Sequence, residues 1–239
     1  MLDFDGTLAP ITADPSPARI SSSARRALEA CIRRLPIAVI SGRALSDVRK
    51  RVGIHSVWYV GNHGLEWSLG PSRGRAKISR KNEDALRTAG RALRVVAKRY
   101  PGTFVEDKRL SLSLHFRHIP PSQIVRLRRE MRTVLAPLSR YIESKEGQEY
   151  VFNVRPKGGP HKGNAVRMIR AKFPLRALPI FIGDDATDED AFHALKKGVT
   201  IRVGKRAGSA ARYYVRTRAD VDRFLSILAG LHKRKSRAT

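Results

Sequence analysis

Asp3 and Asp5 stand two residues apart in Leu2-Asp3-Phe4-Asp5-Gly6-Thr7-Leu8. Side chains at i and i+2 of a strand point the same way. If a short apolar strand ends at Asp3, a turn at Gly6 brings both carboxylates into one small volume at its carboxyl end. Such a pair suits a nucleophile with an acid/base partner, or a site for a hard cation. A second acidic cluster, Gly183-Asp184-Asp185-Ala186-Thr187-Asp188-Glu189-Asp190, follows the apolar run Leu178-Pro179-Ile180-Phe181-Ile182. Two strand-end acidic clusters at opposite ends of one chain are what a magnesium-dependent phosphoryl-transfer site needs.

Four pieces occur in order: Asp3-x-Asp5-Gly6-Thr7, Ser41, Lys162 within His161-Lys162-Gly163, and Gly183-Asp184-Asp185. In that chemistry Asp3 would be the nucleophile and carry an aspartyl-phosphate. Asp5 would protonate the leaving alkoxide and then deprotonate water. Gly6 would permit the tight turn and Thr7 would fix its geometry. Ser41 would donate to a phosphoryl oxygen, and Lys162 would neutralise charge between the phosphate and Asp3. Asp184 and Asp185 would hold Mg²⁺ with Asp3 and the Asp5 carbonyl. Each piece alone is weak. Asp-x-Asp is a common turn, Ser41-Gly42 is equally a turn or a helix cap, and Lys162 is one lysine among many. Thr187-x-x-Asp190 reads as a capping box, which makes Asp190 structural. The order of the pieces, each at a strand end or helix start, gives the set its specificity.

The elements that must position these residues follow an α/β pattern. Ser21 to Leu35 reads as an amphipathic helix with a serine N-cap. Ile37 to Ile40 is a buried-type strand, Leu45 to Val52 a helix, and Val57 to Val60 another strand ending at Gly61-Asn62-His63-Gly64. Strand and helix in alternation predict a doubly wound parallel sheet, with Asp3, Ser41 and Asp184 at the carboxyl ends of its strands. The middle of the chain departs from this. Asn82 to Tyr100 and Pro121 to Leu135 read as helices. Ser111-Leu112-Ser113-Leu114-His115-Phe116 alternates strictly, and Tyr141 to Glu143 and Tyr150 to Val154 read as strands. This predicts an inserted α+β domain at residues 71–157 within a core of 1–70 and 158–231, with Pro156 to Pro160 as the return hinge and a disordered basic tail at 232–239. From His161 the core pattern resumes with a helix to Lys172, the strand at Ile180, a helix from Asp188 to Lys196, the strand Val199 to Val203 and a last helix from Asp220 to Leu231. Only Met1 and Leu2 precede Asp3, against the usual five or so residues of a strand. The expectation is an upstream start or a shortened central strand.

At 239 residues the chain can bury a real core. Its one cysteine, Cys31, rules out an internal disulfide, fits a reducing compartment and reads as a small buried apolar residue. No apolar run reaches the roughly 20 residues of a membrane span, and no signal peptide is visible, so a cytoplasmic, membrane-free protein is expected. The formal charge is +27, from 48 Lys and Arg against 21 Asp and Glu. The basic residues are spread along helix faces, and aromatics are only 7%, without a stacking motif. Specific nucleic-acid binding is therefore not expected; weak, salt-sensitive association with polyanions is.

The four pieces resemble the motifs of the haloacid dehalogenase superfamily of phosphatases. The resemblance is sharper to its trehalose-6-phosphate phosphatase branch. It rests on Leu2 to Ile11, Ser41-Gly42-Arg43, Gly61-Asn62-His63-Gly64-Leu65-Glu66, Val105-Glu106-Asp107-Lys108 running to His115-Phe116-Arg117, and Ile182 to Phe192. It implies a Rossmann-like core with a cap inserted between the serine and lysine motifs, a Mg²⁺ cofactor and a phosphosugar substrate; separately from the resemblance, a monomer is expected. The resemblance also implies that the cap residues Glu106, Lys108 and Arg117 contact sugar hydroxyls. Thr7 and Arg43 are expected to bind substrate, and His63 and Glu66 match the family's segment leading into the cap, where they touch substrate or brace the hinge. Asn153, in Phe152-Asn153-Val154-Arg155-Pro156, stands where the family has a glutamate. It can hydrogen-bond a sugar but carries no charge. Two alternatives remain at this point: a phosphatase for a sucrose- or mannosylglycerate-type phosphate, or a nucleic-acid-binding or regulatory protein on a degraded phosphatase scaffold.

Overall fold

Leu2 is bridged in parallel to Val39 on one side and to Ile182 on the other, so the segment leading to Asp3 runs between two strands of a sheet. The computed structural model describes residues 1–12, 18–147 and 150–235, with side chains as far as Gly230. The chain divides into two compact units, one of Met1–Arg75 and Pro160–Thr239, the other of Ala76–Gly159.

The first unit opens with α1 (Ser22–Ile32), β1 (Ala38–Ile40), α2 (Leu45–Val52), β2 (Trp58–Gly61), β3 (Glu66–Leu69) and β4 (Ser72–Arg75). The Ser21 hydroxyl caps α1 by accepting from the Ala24 amide at 3.1 Å. β1 and β2 pair in parallel, and β3 and β4 continue the sheet antiparallel. Ser72–Arg75 pair with β3, which is why the first unit runs past residue 70 to Arg75.

The second unit holds α3 (Arg80–Lys98), β5 (Phe104–Asp107), β6 (Leu112–His115), α4 (Pro121–Leu135), β7 (Ile142–Glu146) and β8 (Val151–Pro156). Its sheet is antiparallel in the order β5-β6-β8-β7. The period-two alternation sorts the two faces. Leu112, Leu114, Phe152 and Val154 pack with Leu86, Leu93 and Val96 of α3 and Leu127, Met131 and Leu135 of α4. In register on the opposite face stand Glu106, Ser113, Asn153 and Lys145.

The first unit resumes with α5 (Lys162–Arg170), β9 (Ile180–Gly183), α6 (Glu189–Ala194), β10 (Val199–Val203), β11 (Tyr213–Val215) and α7 (Arg218–Lys235). β9, β10 and β11 are parallel. The sheet is covered on both faces, as a doubly wound fold requires. Val39, Tyr59, Ile182 and Ile201 pack with Leu28 and Cys31 of α1, Val48 and Val52 of α2, and Val221 and Leu225 of α7. Ala38, Ile40, Val60 and Phe181 pack with Val166 and Ile169 of α5 and Phe192 of α6. α7 continues through Lys235, so the first residues of the expected disordered tail are helical; 236–239 lie outside the described residues. No helix among the described residues is long and apolar enough to cross a membrane.

Candidate active site

The end of the Leu2 segment, the end of β9 and the start of α5 place three groups together. Lys162 is the first residue of α5 and is buried. Its Nζ donates to Asp3 Oδ1 at 2.8 Å and to Asp188 Oδ1 at 2.7 Å. Asp3, Asp184 and Asp188 each offer a carboxylate oxygen, all within 4.8 Å of one another. Hard oxygen donors at this spacing fit a divalent cation of the Mg²⁺ or Ca²⁺ kind.

One ammonium does not neutralise three carboxylates. Burial, then the neighbouring Asp188, raises Asp3 well above the ordinary carboxylate range, despite Lys162 pulling the other way. Burial raises Asp188 too. Asp184 is pushed up to about 7, by burial first and by Asp188 next. Burial alone would lower Lys162, but Asp188 and Asp3 outweigh it and hold the ammonium above its usual value. Three carboxylates facing one ammonium are a setting in which a cation could take the place of the extra protons.

Gly6 has φ +78°, and a Cβ there would lie 2.1 Å from Asp184 Oδ2. The turn thus needs glycine for its backbone and for the space the Asp184 carboxylate fills. Thr7 Oγ1 donates to Asp184 Oδ1 at 2.9 Å, which joins the two acidic segments directly. Asp5 turns to the other side. Arg43 grips it through two parallel bonds, Nε to Oδ2 at 2.8 Å and Nη2 to Oδ1 at 2.7 Å. The Asp5 side chain is still 41% exposed.

Ser41 follows β1 and is buried; its hydroxyl accepts from the Arg43 amide at 3.1 Å. His63 and Glu66, for which contact with substrate and bracing of the hinge were both open, brace this loop in the structure. Glu66 Oε2 accepts from the Leu45 amide at 3.0 Å and from Asn62 Nδ2 at 2.9 Å. The His63 ring lies against Gly42, where a Cβ would be 2.5 Å away. Asn62 and His63 hold positive φ angles of 48° and 58°, a conformation the surrounding bonds must enforce.

In the acidic segment the structure redistributes roles. Asp185 is not in the carboxylate cluster. Its side chain accepts from Thr187 and caps the short 3₁₀ turn Ala186–Asp188. Asp188, which the sequence reading gave no role, is fully buried beside Asp3 and Lys162. Its Oδ2 accepts from the amides of Asp184 and Asp185 at 3.0 and 2.9 Å. The capping box is therefore Asp185 with Asp188, in place of the expected Thr187 with Asp190. His161 caps α5: Nδ1 accepts from the Gly163 amide at 3.2 Å, and Asn164 Oδ1 accepts from the His161 amide at 3.1 Å. That box fixes the turn carrying Lys162. A His-x-x-Asn spacing before an apolar helix was the signal available for it.

The second unit gathers its own polar set. Lys108 Nζ donates to Ser113 Oγ at 2.8 Å, and Ser113 Oγ donates to Asn153 Oδ1 at 2.7 Å. Glu106 lies 3.6 Å from Lys108 and 3.0 Å from His115 Nε2. The His115 ring stacks on Phe104 with centroids 4.4 Å apart. Arg117 lies in the turn after β6. Sequence reasoning found Glu106, Lys108 and Asn153 but missed Ser113, His115 and Phe104. Strand register was the signal that could have joined them.

A family model described as Trehalose-phosphatase matches residues 1–220. This chain belongs to the trehalose-phosphatase family. The trehalose-phosphate phosphatase of Mycobacterium bovis (strain BCG / Pasteur 1173P2) is 34% identical over 243 residues, which cover 95% of this chain and 60% of that protein. The chain thus spans well under two thirds of that relative's length. A crystal structure of a trehalose-6-phosphate phosphatase related protein superposes with a TM-score of 0.81 at 23% identity, covering 98% of both chains. The C-terminal domain of C. albicans trehalose-6-phosphate phosphatase gives 0.80 at 24% identity, covering 96% of this chain and 90% of that one. These likenesses identify the fold, a Rossmann-like α/β core with an inserted α+β unit.

Proposed function

We propose that this protein is a Mg²⁺-dependent phosphatase that hydrolyses trehalose 6-phosphate to trehalose and phosphate. The observation that carries the reading is the buried Asp3 carboxylate, held by Lys162 and faced by Asp184 within one cluster of oxygen donors. Family membership supports trehalose 6-phosphate as the substrate.

Asp3 attacks the phosphorus and forms an acyl-phosphate while the C–O–P ester bond breaks on the phosphorus side. Asp5 gives its proton to the departing sugar oxygen. Asp5 then takes a proton from water, which attacks the acyl-phosphate and releases inorganic phosphate with Asp3 restored. Arg43 orients Asp5 through both oxygens. Each carboxylate oxygen keeps a second lone pair for this work. Lys162 offsets the negative charge where the Asp3 carboxylate meets the phosphoryl group. The Ser41 hydroxyl donates to a phosphoryl oxygen. Asp3 and Asp184 with the Asp5 main-chain carbonyl would hold Mg²⁺. Asp188 would support them, since its oxygens already serve Lys162 and two amides. When bound, the cation screens the repulsion between anions and stabilises charge on the transferring group.

Glu106, Lys108 and Arg117 of the cap recognise the sugar. One observation favours a second reading, a different phosphosugar: Asn153 is neutral and its Oδ1 is already taken by Ser113. Phosphate release from trehalose 6-phosphate, sucrose- and mannosylglycerate-type phosphates and a simple aryl phosphate, with and without EDTA, tests both. Chelator-sensitive release that is fastest from trehalose 6-phosphate is expected. No chelator-sensitive release from any substrate would sink the proposal.

A further inference from the structure

Arg202 lies near the end of β10 with its side chain almost fully buried, and no sequence motif singles it out. It is in register with Gly183, where the acidic segment leaves β9. One terminal nitrogen, Nη2, donates to the Asp184 carbonyl. The other, Nη1, reaches the Asp185 carbonyl at 3.4 Å and Glu189 Oε1 at 3.1 Å. Nε is buried without a hydrogen-bond partner, so the terminal nitrogens do the holding. Glu189 is itself anchored, by the Ser209 hydroxyl and the Ala210 amide, both at 2.8 Å.

A guanidinium removed from water must recover its lost hydration through such contacts. Here it recovers it from the main chain of the two residues that begin the acidic segment. The amides of Asp184 and Asp185 are fixed by Asp188, and the Asp184 side chain by Thr7. The Asp185 carbonyl also accepts from the Asp188 amide at 3.1 Å, and Arg202 reaches both carbonyls, holding that of Asp184 the more closely. Its planar fork can reach two carbonyls and a carboxylate together, which a single ammonium cannot match.

We propose that Arg202 is a positioning residue: it clamps the carbonyls of Asp184 and Asp185 so that the Asp184 carboxylate stays beside Asp3, where the divalent cation is held. This rests on the phosphatase reading for the identity of the cation. Arg202 would then set metal affinity without touching substrate.

The test is Mg²⁺ titration of EDTA-stripped protein by calorimetry and by thermal shift, for the parent, Arg202→Met, Arg202→Gln and Arg202→Lys. Weakening of Mg²⁺ binding by about 10–100-fold is expected for Arg202→Met and Arg202→Gln. Arg202→Lys, which restores charge but not the fork, should fall between them and the parent. The Mg²⁺-induced rise in Tm should shrink in the same order, while KM for the sugar phosphate at saturating Mg²⁺ changes little. If Arg202→Met does not fold, Arg202→Gln is read the same way. Parent-like Mg²⁺ affinity in a folded Met or Gln variant overturns the proposal alone. A parent that binds no Mg²⁺ overturns the phosphatase reading and this proposal with it.

Discussion

The Lys162 ammonium lies 2.8 Å from the Asp3 carboxylate, and both side chains are almost wholly buried. Removing Lys162 would leave the Asp3 carboxylate without its ion-pair partner in a low-dielectric site. Lys162 also meets Asp188 at 2.7 Å, so it holds together two segments distant in sequence.

Lys162→Met keeps the length of the side chain and deletes the charge. Asp3, Asp184 and Asp188 would then face one another uncompensated. Removing one partner of a buried pair typically costs about 3–5 kcal/mol. Urea unfolding in EDTA should show a loss of that order, and turnover should vanish. Asp3→Asn, by contrast, keeps the pair of Lys162 with Asp188 and should stay folded while losing turnover, because an amide forms no acyl-phosphate. Near-normal turnover of Asp3→Asn would mean that another group is the nucleophile.

Gly6→Ala is a small change with two costs. A residue with a side chain at φ +78° is strained by about 1–3 kcal/mol. The new methyl would also drive into the Asp184 carboxylate, since an ideal Cβ sits 2.1 Å from Oδ2. The expected result is a lowered Tm together with weakened Mg²⁺ binding. A drop in Tm with unchanged Mg²⁺ affinity would show that Asp184 moves aside freely.

The raised carboxylates give a pH signature. Asp184 is held at about 7 and Asp3 and Asp188 are shifted in the same direction, mainly by burial. The folded, metal-free protein therefore binds more protons than the unfolded chain between the ordinary carboxylate range and about pH 7. Stability falls as pH rises through that window. In EDTA, Asp184→Asn should gain on the parent steadily from pH 4 towards pH 7, because over that range the parent's Asp184 ionises in the unfolded chain while it stays protonated in the fold. Saturating Mg²⁺ should flatten the parent's curve and remove the gap. Parallel Tm–pH curves in EDTA would contradict the charge balance described above.

The core was readable because its strands are short apolar runs ending in Gly or Asp, and the cap because Ser111 to Phe116 alternates. β5 was less visible: Phe104 points to the polar face, where it stacks on His115, and so breaks the alternation. β11 is a three-residue edge strand with exposed Tyr213 and Tyr214, which sequence periodicity does not register. At the site, Asp3, Lys162 and Asp184 were legible because order and spacing place them at strand and helix ends. Asp188 was not, because the segment from Asp184 to Asp190 offers carboxylates at nearly every step. Which one turns inward depends on the 3₁₀ turn that Asp185 caps. Arg202 was invisible for a different reason. In a chain with 48 Lys and Arg, burial alone distinguishes it.

The division of labour between the two units makes the sharpest test of substrate. Glu106, Lys108 and Arg117 belong to the second unit, while Asp3, Asp5, Lys162 and Asp184 belong to the first. If the second unit reads the sugar, removing one of its charged groups should leave phosphoryl transfer itself intact. Hydrolysis of a small aryl phosphate, which has no sugar to contact, should then change little. Hydrolysis of trehalose 6-phosphate should lose about 1.5–3 kcal/mol in kcat/KM per charged hydrogen bond removed. Lys108→Ala also strips Ser113 of a donor within the chain to Asn153, so its stability must be measured beside its kinetics. Asn153→Glu adds the charge that the family resemblance implies for that position. A gain for trehalose 6-phosphate over the other phosphosugars would mark Asn153 as a specificity position. Equal losses on both substrates for Glu106→Ala, Lys108→Ala and Arg117→Ala would mean that these residues only hold the second unit together. No loss on either substrate would leave the disaccharide assignment without its recognition site.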